Sequence, residues 1–153
     1  MSTAPTVTLH GFWRSSATWR VRIALAHKGI AYQYIPVNLR KGIGEQNGPE
    51  FAHLNPMRQV PVLEIDDLEG VRDDGFVDDS VRKHGATLRL TQSLAILEYL
   101  EERFPAHPLL PPDRNRRARA RMIAEVVNSG TQPFQNTSVQ QYLDDIIHSD
   151  SAA

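Results

Sequence analysis

In Ser15-Ser16-Ala17-Thr18-Trp19-Arg20, two hydroxyls stand where a strand-like stretch gives way to one of helical period. Unpaired backbone N–H groups and the positive end of the helix dipole gather at such a point and favour an anion. A thiolate is one such anion: a free thiol titrates near about 8.5, and helix N-termini lower that value. The plainer reading is that Ser15 or Ser16 only caps the helix, a common use of serine. Val60-Pro61 is a second candidate, opening a strand after a loop. X-Pro bonds are cis in only about 5–6% of folded cases, so the sequence leaves this one open. If cis, the Val60 N–H and C=O point outward for an extended peptide to pair with; if trans, the proline is an ordinary strand entry. Gln92-Ser93 is the third, joining an amide, a hydroxyl and a helix N-terminus in a way that suits a small carboxylate. Alone, this pair too is most simply a cap. Together the three features point toward one site.

The elements that must position them follow from the pattern. Val7–Phe12 alternates as a strand, and a helical period runs from about Thr18 to His27, with Val21, Ala24, Leu25 and Lys28 on one side and Gly29 as the stop. Tyr32–Val37 reads as a second strand, giving the β–α–β spacing of a parallel crossover. Residues 39–57 are irregular, with a short helix at Pro49–His53. Gln59–Ile65 and Ala86–Leu90 read as a long hairpin. The acidic segment 66–85 between them carries too few apolar residues to offset its ordering entropy and is expected to be a solvated, mobile loop, with a lid over a site as the lesser reading. Gln92-Ser93 then caps an amphipathic helix with Leu94, Leu97, Leu100 and Phe104 at core spacing. Pro105, Pro108, Pro111 and Pro112 form a stiff connector to a helix from about Asp113 to Asn128, with Ala118, Met122, Ile123 and Val126 on its apolar side. Its arginines, Arg114, Arg116, Arg117, Arg119 and Arg121, read as a solvated face. A last helical stretch runs from Asn136 to about Ile147. The order is an α/β, thioredoxin-like plan: a small mixed sheet with helices on both faces, residues 1–104, then a linker at 105–112 and a partial helical domain at 113–153.

Composition narrows the chemistry. The 153 residues carry 17 Lys plus Arg against 18 Asp plus Glu, a formal charge of −1 that gives no reason to propose nucleic acid. With no Cys, a disulfide scaffold, a Cys-based zinc site and a protein-borne redox dithiol are excluded, and with them a thiol–disulfide oxidoreductase on the same fold. No metal site and no membrane span are expected, since no apolar run approaches the roughly 18 residues a bilayer requires. The start, Met1–Thr6, has no targeting pattern, so the expected compartment is the cytosol.

Phe12-Trp13-Arg14-Ser15-Ser16-Ala17-Thr18-Trp19-Arg20-Val21-Arg22-Ile23-Ala24-Leu25, Leu54-Asn55-Pro56-Met57-Arg58-Gln59-Val60-Pro61, the run from Thr91 to Glu102, and Gln132-Pro133-Phe134-Gln135-Asn136-Thr137-Ser138-Val139 resemble the zeta-class glutathione transferases, the family of the maleylacetoacetate isomerases. The resemblance covers about residues 7–143 apart from the acidic segment. It implies a thioredoxin-like domain that holds glutathione as cofactor, followed by the start of the all-α glutathione-transferase C-terminal domain. It implies a cytoplasmic homodimer that isomerises maleylacetoacetate to fumarylacetoacetate in tyrosine and phenylalanine breakdown, with glutathione transfer to related acids. By that resemblance Ser15 and Ser16 lie beside the glutathione sulfur, within a binding run that continues through Ala17, Thr18, Trp19 and Arg20. Gln46 matches the glutamine near the glycyl end, Val60 the residue whose backbone pairs with the cysteinyl unit, and Gln92 and Ser93 the pair receiving the γ-glutamyl end. Gln132, Asn136, Thr137 and Ser138 match contacts from the helical part. Ala17 stands where the family motif usually has Cys, and the family's helical domain continues beyond the point where this chain stops. A non-catalytic, glutathione-binding fragment is therefore the alternative expectation, and uncovered helix faces are expected to drive dimerisation or aggregation.

Overall fold

The computed structural model describes residues 5–40, 42, 44–66 and 87–150, without the side chains of 148–150. It divides into two units, Met1–Pro108 and Leu109–Ala153.

In the first unit, β1 (Val7–Gly11), β2 (Gln33–Pro36), β3 (Val62–Asp66) and β4 (Thr87–Thr91) form one sheet in the order β2-β1-β3-β4. β1 and β2 are parallel; β3 is antiparallel to both β1 and β4. α1 (Ser16–His27) makes the crossover between β1 and β2, α2 (Pro49–Leu54) precedes β3, and α3 (Ser93–Arg103) follows β4. This is the thioredoxin-like mixed sheet. Alternation along β3 explains how both faces are covered: Leu63 and Ile65 point one way and Val62 the other. Val62 joins Val37 and Phe51 in a core cluster beneath α2. On the other face α1 packs on α3, burying Val21 and Leu25 with Ile96 and Leu100.

Two local features set α1. Gly11 ends β1 where an added Cβ would collide with the Thr18 side chain, so glycine is what lets the first turn of α1 settle against the strand. At the other end Gly29 takes φ +67°, and Ile30 N–H donates to Leu25 O at 2.9 Å, closing the helix in a left-handed turn. Between them Lys28, the helix's last cap, is buried, its Nζ 2.9 Å from Glu101 Oε2 on α3. The hairpin's connected end is pinned where Asp66 pairs with Thr87, whose Oγ1 donates to Asp66 Oδ1 at 2.6 Å. A polar row crosses the sheet: His10 Nε2 lies 2.8 Å from Glu64 Oε2, and Arg89 donates to Glu64 Oε1 at 2.8 and 3.0 Å.

The second unit runs α4 (Arg114–Glu125), a π-helical turn at Val126–Thr131, a 3₁₀ turn at Gln132–Gln135, and α5 (Thr137–Asp150). Asp113 caps α4, its side chain accepting from Arg116 N–H at 2.9 Å.

Several expectations are corrected. α1 begins at Ser16, two residues before the apolar period is visible, because Ser15 already caps it. The inner face of α3 is Ser93, Ile96, Leu100 and Glu101, whereas Leu94, Leu97 and Phe104 are only half-buried. The helix is turned by the Arg20–Ser93 and Lys28–Glu101 bonds, which draw polar residues inward. The helix expected over 113–128 changes to π-type hydrogen bonding at Val126, and its apolar residues Met122, Ile123 and Val126 are exposed within their own unit. α5 extends to Asp150. The expected acidic loop lies outside the described residues except Asp66, which belongs to β3.

Candidate functional site

Strand register brings the three junctions together. His10 faces Val62, and Val62 faces Thr91. The C-terminal ends of β1, β2 and β4 and the N-terminal end of β3 therefore share one edge of the sheet. Ser15-Ser16, Val60-Pro61 and Gln92-Ser93 all leave from that edge.

Ser15 is the N-cap of α1, with φ −72° and ψ 118°, and its Oγ accepts from Thr18 N–H at 3.2 Å. A serine oxygen has two lone pairs and one proton, and among the described residues the Ser15 proton has no acceptor. The amides of Ser16 and Ala17, at the first two helical positions, have no acceptor within the helix. Donors without a partner in the helix thus gather at the N-terminal end of α1. Ser16 is exposed, while Ala17 and Thr18 are buried, Thr18 Oγ1 without a partner. Trp19 Nε1 donates to Trp13 O at 2.8 Å, and the Arg22 guanidinium lies 4.2 Å from the centre of the Trp19 ring and 5.5 Å from that of Tyr34.

The Val60-Pro61 bond is cis. Its approach is fixed by Asn55, a buried residue for which the sequence reading assigned no role. Asn55 Oδ1 accepts from Met57 N–H at 3.0 Å, Nδ2 donates to Gln59 O at 2.7 Å, and Asn55 O accepts from Arg58 N–H at 2.8 Å. The Asn-Pro pair at 55–56 is a turn signal that would have found it.

Gln92 does not cap α3 through its side chain; it sits at φ +66°, a region that costs a non-glycine residue energy. Its Nε2 instead turns toward Gln59 Oε1 at 3.5 Å and Met57 Sδ at 3.6 Å, so Gln92 lies over the loop that leads to Val60. Ser93, the first residue of α3, is buried, and its Oγ accepts from Arg20 Nη1 at 2.9 Å across 73 residues of sequence. Burial lowers the pKa of Arg20 from the usual guanidinium value.

Gln46 lies in the 3₁₀ turn Glu45–Asn47, which is tied to the end of β2 by Glu45 N–H to Asn38 O at 2.9 Å and Asn38 N–H to Glu45 Oε2 at 2.7 Å. Gln46 Oε1 is buried without a partner, and Gly44, at φ +87°, leaves the space its amide fills. Ser15 through Arg20, Gln46, Val60, Gln92 and Ser93 thus all belong to the first unit. Gln132 in the 3₁₀ turn, Asn136 after it, and Thr137 and Ser138 at the start of α5 belong to the second.

Residues 14–103, more than half of the chain, match the family described as glutathione S-transferase, N-terminal domain. The chain is 48% identical over 131 residues to a maleylacetoacetate isomerase of Rattus norvegicus, covering 86% of this chain and 51% of that protein. It is 40% identical over 146 residues to a zeta-class glutathione S-transferase of Euphorbia esula, covering 95% of this chain and 55% of the relative. A crystal structure of maleylacetoacetate isomerase from Anaeromyxobacter dehalogenans 2CP-1 with bound GSH superposes with a TM-score of 0.72 at 44% identity, over 95% of this chain and 59% of that one. The chain therefore spans about half the length of the curated relatives it matches.

Proposed function

Because the chain belongs to the glutathione S-transferase family, we propose that it binds glutathione along the sheet edge described above and serves the cis–trans isomerisation of maleylacetoacetate to fumarylacetoacetate. That reaction belongs to tyrosine and phenylalanine breakdown, and glutathione transfer to related acids is the accompanying activity. The observation that carries the reading is the Ser15 turn. A hydroxyl whose oxygen is held by Thr18 N–H has its proton left over for a ligand, at the positive end of a 12-residue helix.

The residues present suit the tripeptide on the structure's own terms. The Ser15 and Ser93 hydroxyl protons have no acceptor among the described residues, and Gln46 Oε1 is buried without a partner. When bound, glutathione supplies a thiolate that adds to the cis double bond, leaves a single bond free to rotate, and is expelled unchanged. Ser15, and after it Ser16, holds that charge with the amides of Ser16 and Ala17, a preorganised set of donors that need not reorient during the reaction. Thr18, Trp19 and Arg20 keep the turn in place. Val60 pairs with the cysteinyl backbone, Gln46 takes the glycyl end, Gln92 and Ser93 take the γ-glutamyl end, and Gln132, Asn136, Thr137 and Ser138 serve from the helical part. In the same proposal residues 1–104 are the glutathione-binding domain, 105–112 the linker and 113–153 helical-domain sequence, in a homodimer working in the cytosol. Among the described residues no helix is long and apolar enough to cross a membrane.

A second reading, glutathione binding without turnover, has one observation in its favour: the chain spans about half the length of its relatives. Calorimetric titration with glutathione followed by an isomerase assay separates the two. Binding with turnover is the expected result; binding without turnover selects the second reading, and no binding at millimolar glutathione refutes both.

A further inference from the structure

Ser93 presents an asymmetry that its position at the head of α3 does not require. It is 5% exposed, and the one hydrogen bond its side chain makes among the described residues is the 2.9 Å bond from Arg20 Nη1. A guanidinium has five donors and no acceptor, so the direction of that bond is fixed: Arg20 donates and Ser93 Oγ accepts. One lone pair is thereby occupied, and the hydroxyl proton is turned away from the cation. The amides of Ser93, Leu94 and Ala95 open the 11-residue α3 and have no acceptor within it, the first intrahelical bond being Ile96 N–H to Gln92 O at 3.0 Å. The hydroxyl proton and the amides of this turn are complementary to a carboxylate.

We infer that Arg20 is a positioning residue for carboxylate recognition: it locks the Ser93 hydroxyl as a donor to the ligand and does not touch the ligand itself. Resting on the function proposed above, the carboxylate is the α-carboxylate of glutathione's γ-glutamyl residue. A hydroxyl whose oxygen already accepts from a cation is polarised and donates more strongly. Without Arg20 the same hydroxyl can rotate and present a lone pair, which a carboxylate repels.

The test is a double-mutant cycle of the full chain, Arg20→Met, Ser93→Ala and the two combined, read by calorimetric Kd. Three ligands are titrated: glutathione, its analogue with 4-aminobutyryl in place of γ-glutamyl, and its analogue with ethylamide in place of glycine. Arg20→Met is expected to weaken glutathione and the ethylamide analogue about tenfold. The 4-aminobutyryl analogue, which lacks the α-carboxylate, shifts less than about twofold, and so does glutathione when Ser93→Ala is already present. If Arg20→Met does not fold, Arg20→Gln, which keeps an N–H donor without the charge, gives a smaller loss with the same ligand selectivity. Equal losses on all three ligands, or an undiminished loss on top of Ser93→Ala, overturn the inference while leaving glutathione binding intact. A wild-type chain that binds none of the three overturns the proposed function and this inference with it.

Discussion

Replacing Lys28 by methionine tests how α1 is held to α3. The ammonium is wholly buried, and its three donors are all engaged: Glu101 Oε2 at 2.9 Å, Phe104 O at 2.8 Å and His107 O at 3.4 Å. Methionine keeps most of the apolar stem, so Lys28→Met removes the charge and its hydrogen bonds with little change in packing. What it takes away is the cation facing a carboxylate that is itself only 8% exposed. Breaking one side of such a pair costs about 3–5 kcal/mol. Against a usual domain stability of about 5–15 kcal/mol, that is a large share. With a urea m-value of about 2 kcal/mol/M, the unfolding midpoint falls by about 1.5–2.5 M. The chain's two tryptophans, Trp13 and Trp19, both lie in the first unit, so their fluorescence reports its unfolding. The paired replacement Lys28→Met with Glu101→Leu recovers stability to within about 2 kcal/mol of wild type, since an apolar pair of similar volume commonly matches a buried ion pair. A midpoint shift below about 0.5 M for Lys28→Met, or a double variant as unstable as the single, would refute the reasoning.

Further outcomes follow from the site and the sheet. Under the function proposed above, Ser15→Ala is expected to lower isomerase turnover about 100-fold and Ser16→Ala, whose side chain is exposed, less than about tenfold; steady-state kinetics separate them. Gly11→Ala costs about 1–3 kcal/mol because the new Cβ meets the Thr18 methyl, and adding Thr18→Ser restores part of it in the same urea titration. Burial pushes the Glu64 pKa up, but hydrogen bonds from His10 and Arg89 and their charges outweigh it and hold the carboxyl below its usual range. The folded value is thus depressed, so Glu64 stabilises the fold above the ordinary carboxylate range, and the contribution is lost as pH falls through the folded value. The stability gap between wild type and Glu64→Gln should accordingly narrow on acidification; a gap that stays constant from pH 6 to pH 3 would contradict this.

Much of the fold is legible because its elements are short and sharply bounded. Gly29 stops α1 by its left-handed turn, and the alternation from Val62 to Ile65 makes β3. The inner face of α3 is harder to read. Helical period favours Leu94 and Leu97, but the rotation is decided by Arg20 and Lys28, partners 73 residues away that no local window contains. The candidate site divides similarly. Its three junctions are visible as residue types, whereas their meeting on one edge follows from register, which hydrogen bonds between distant strands determine. The Asn55 turn was within reach of local reasoning; the Gln92 conformation at φ +66° was not, since glutamine carries no signal for it.

The pairing of Asp66 with Thr87 closes the hairpin at the end of the sheet away from Ser15, Val60 and Gln92, about 13 Å along β3 from Val62. In the sequence, residues 67–86 lie between Asp66 and Thr87, the two residues of that clasp. For a flexible connection, halving the length changes the closure entropy by only about 0.6 kcal/mol. The clasp is thus a permissive port: sequence can be shortened, lengthened or grafted there while the far edge keeps its register.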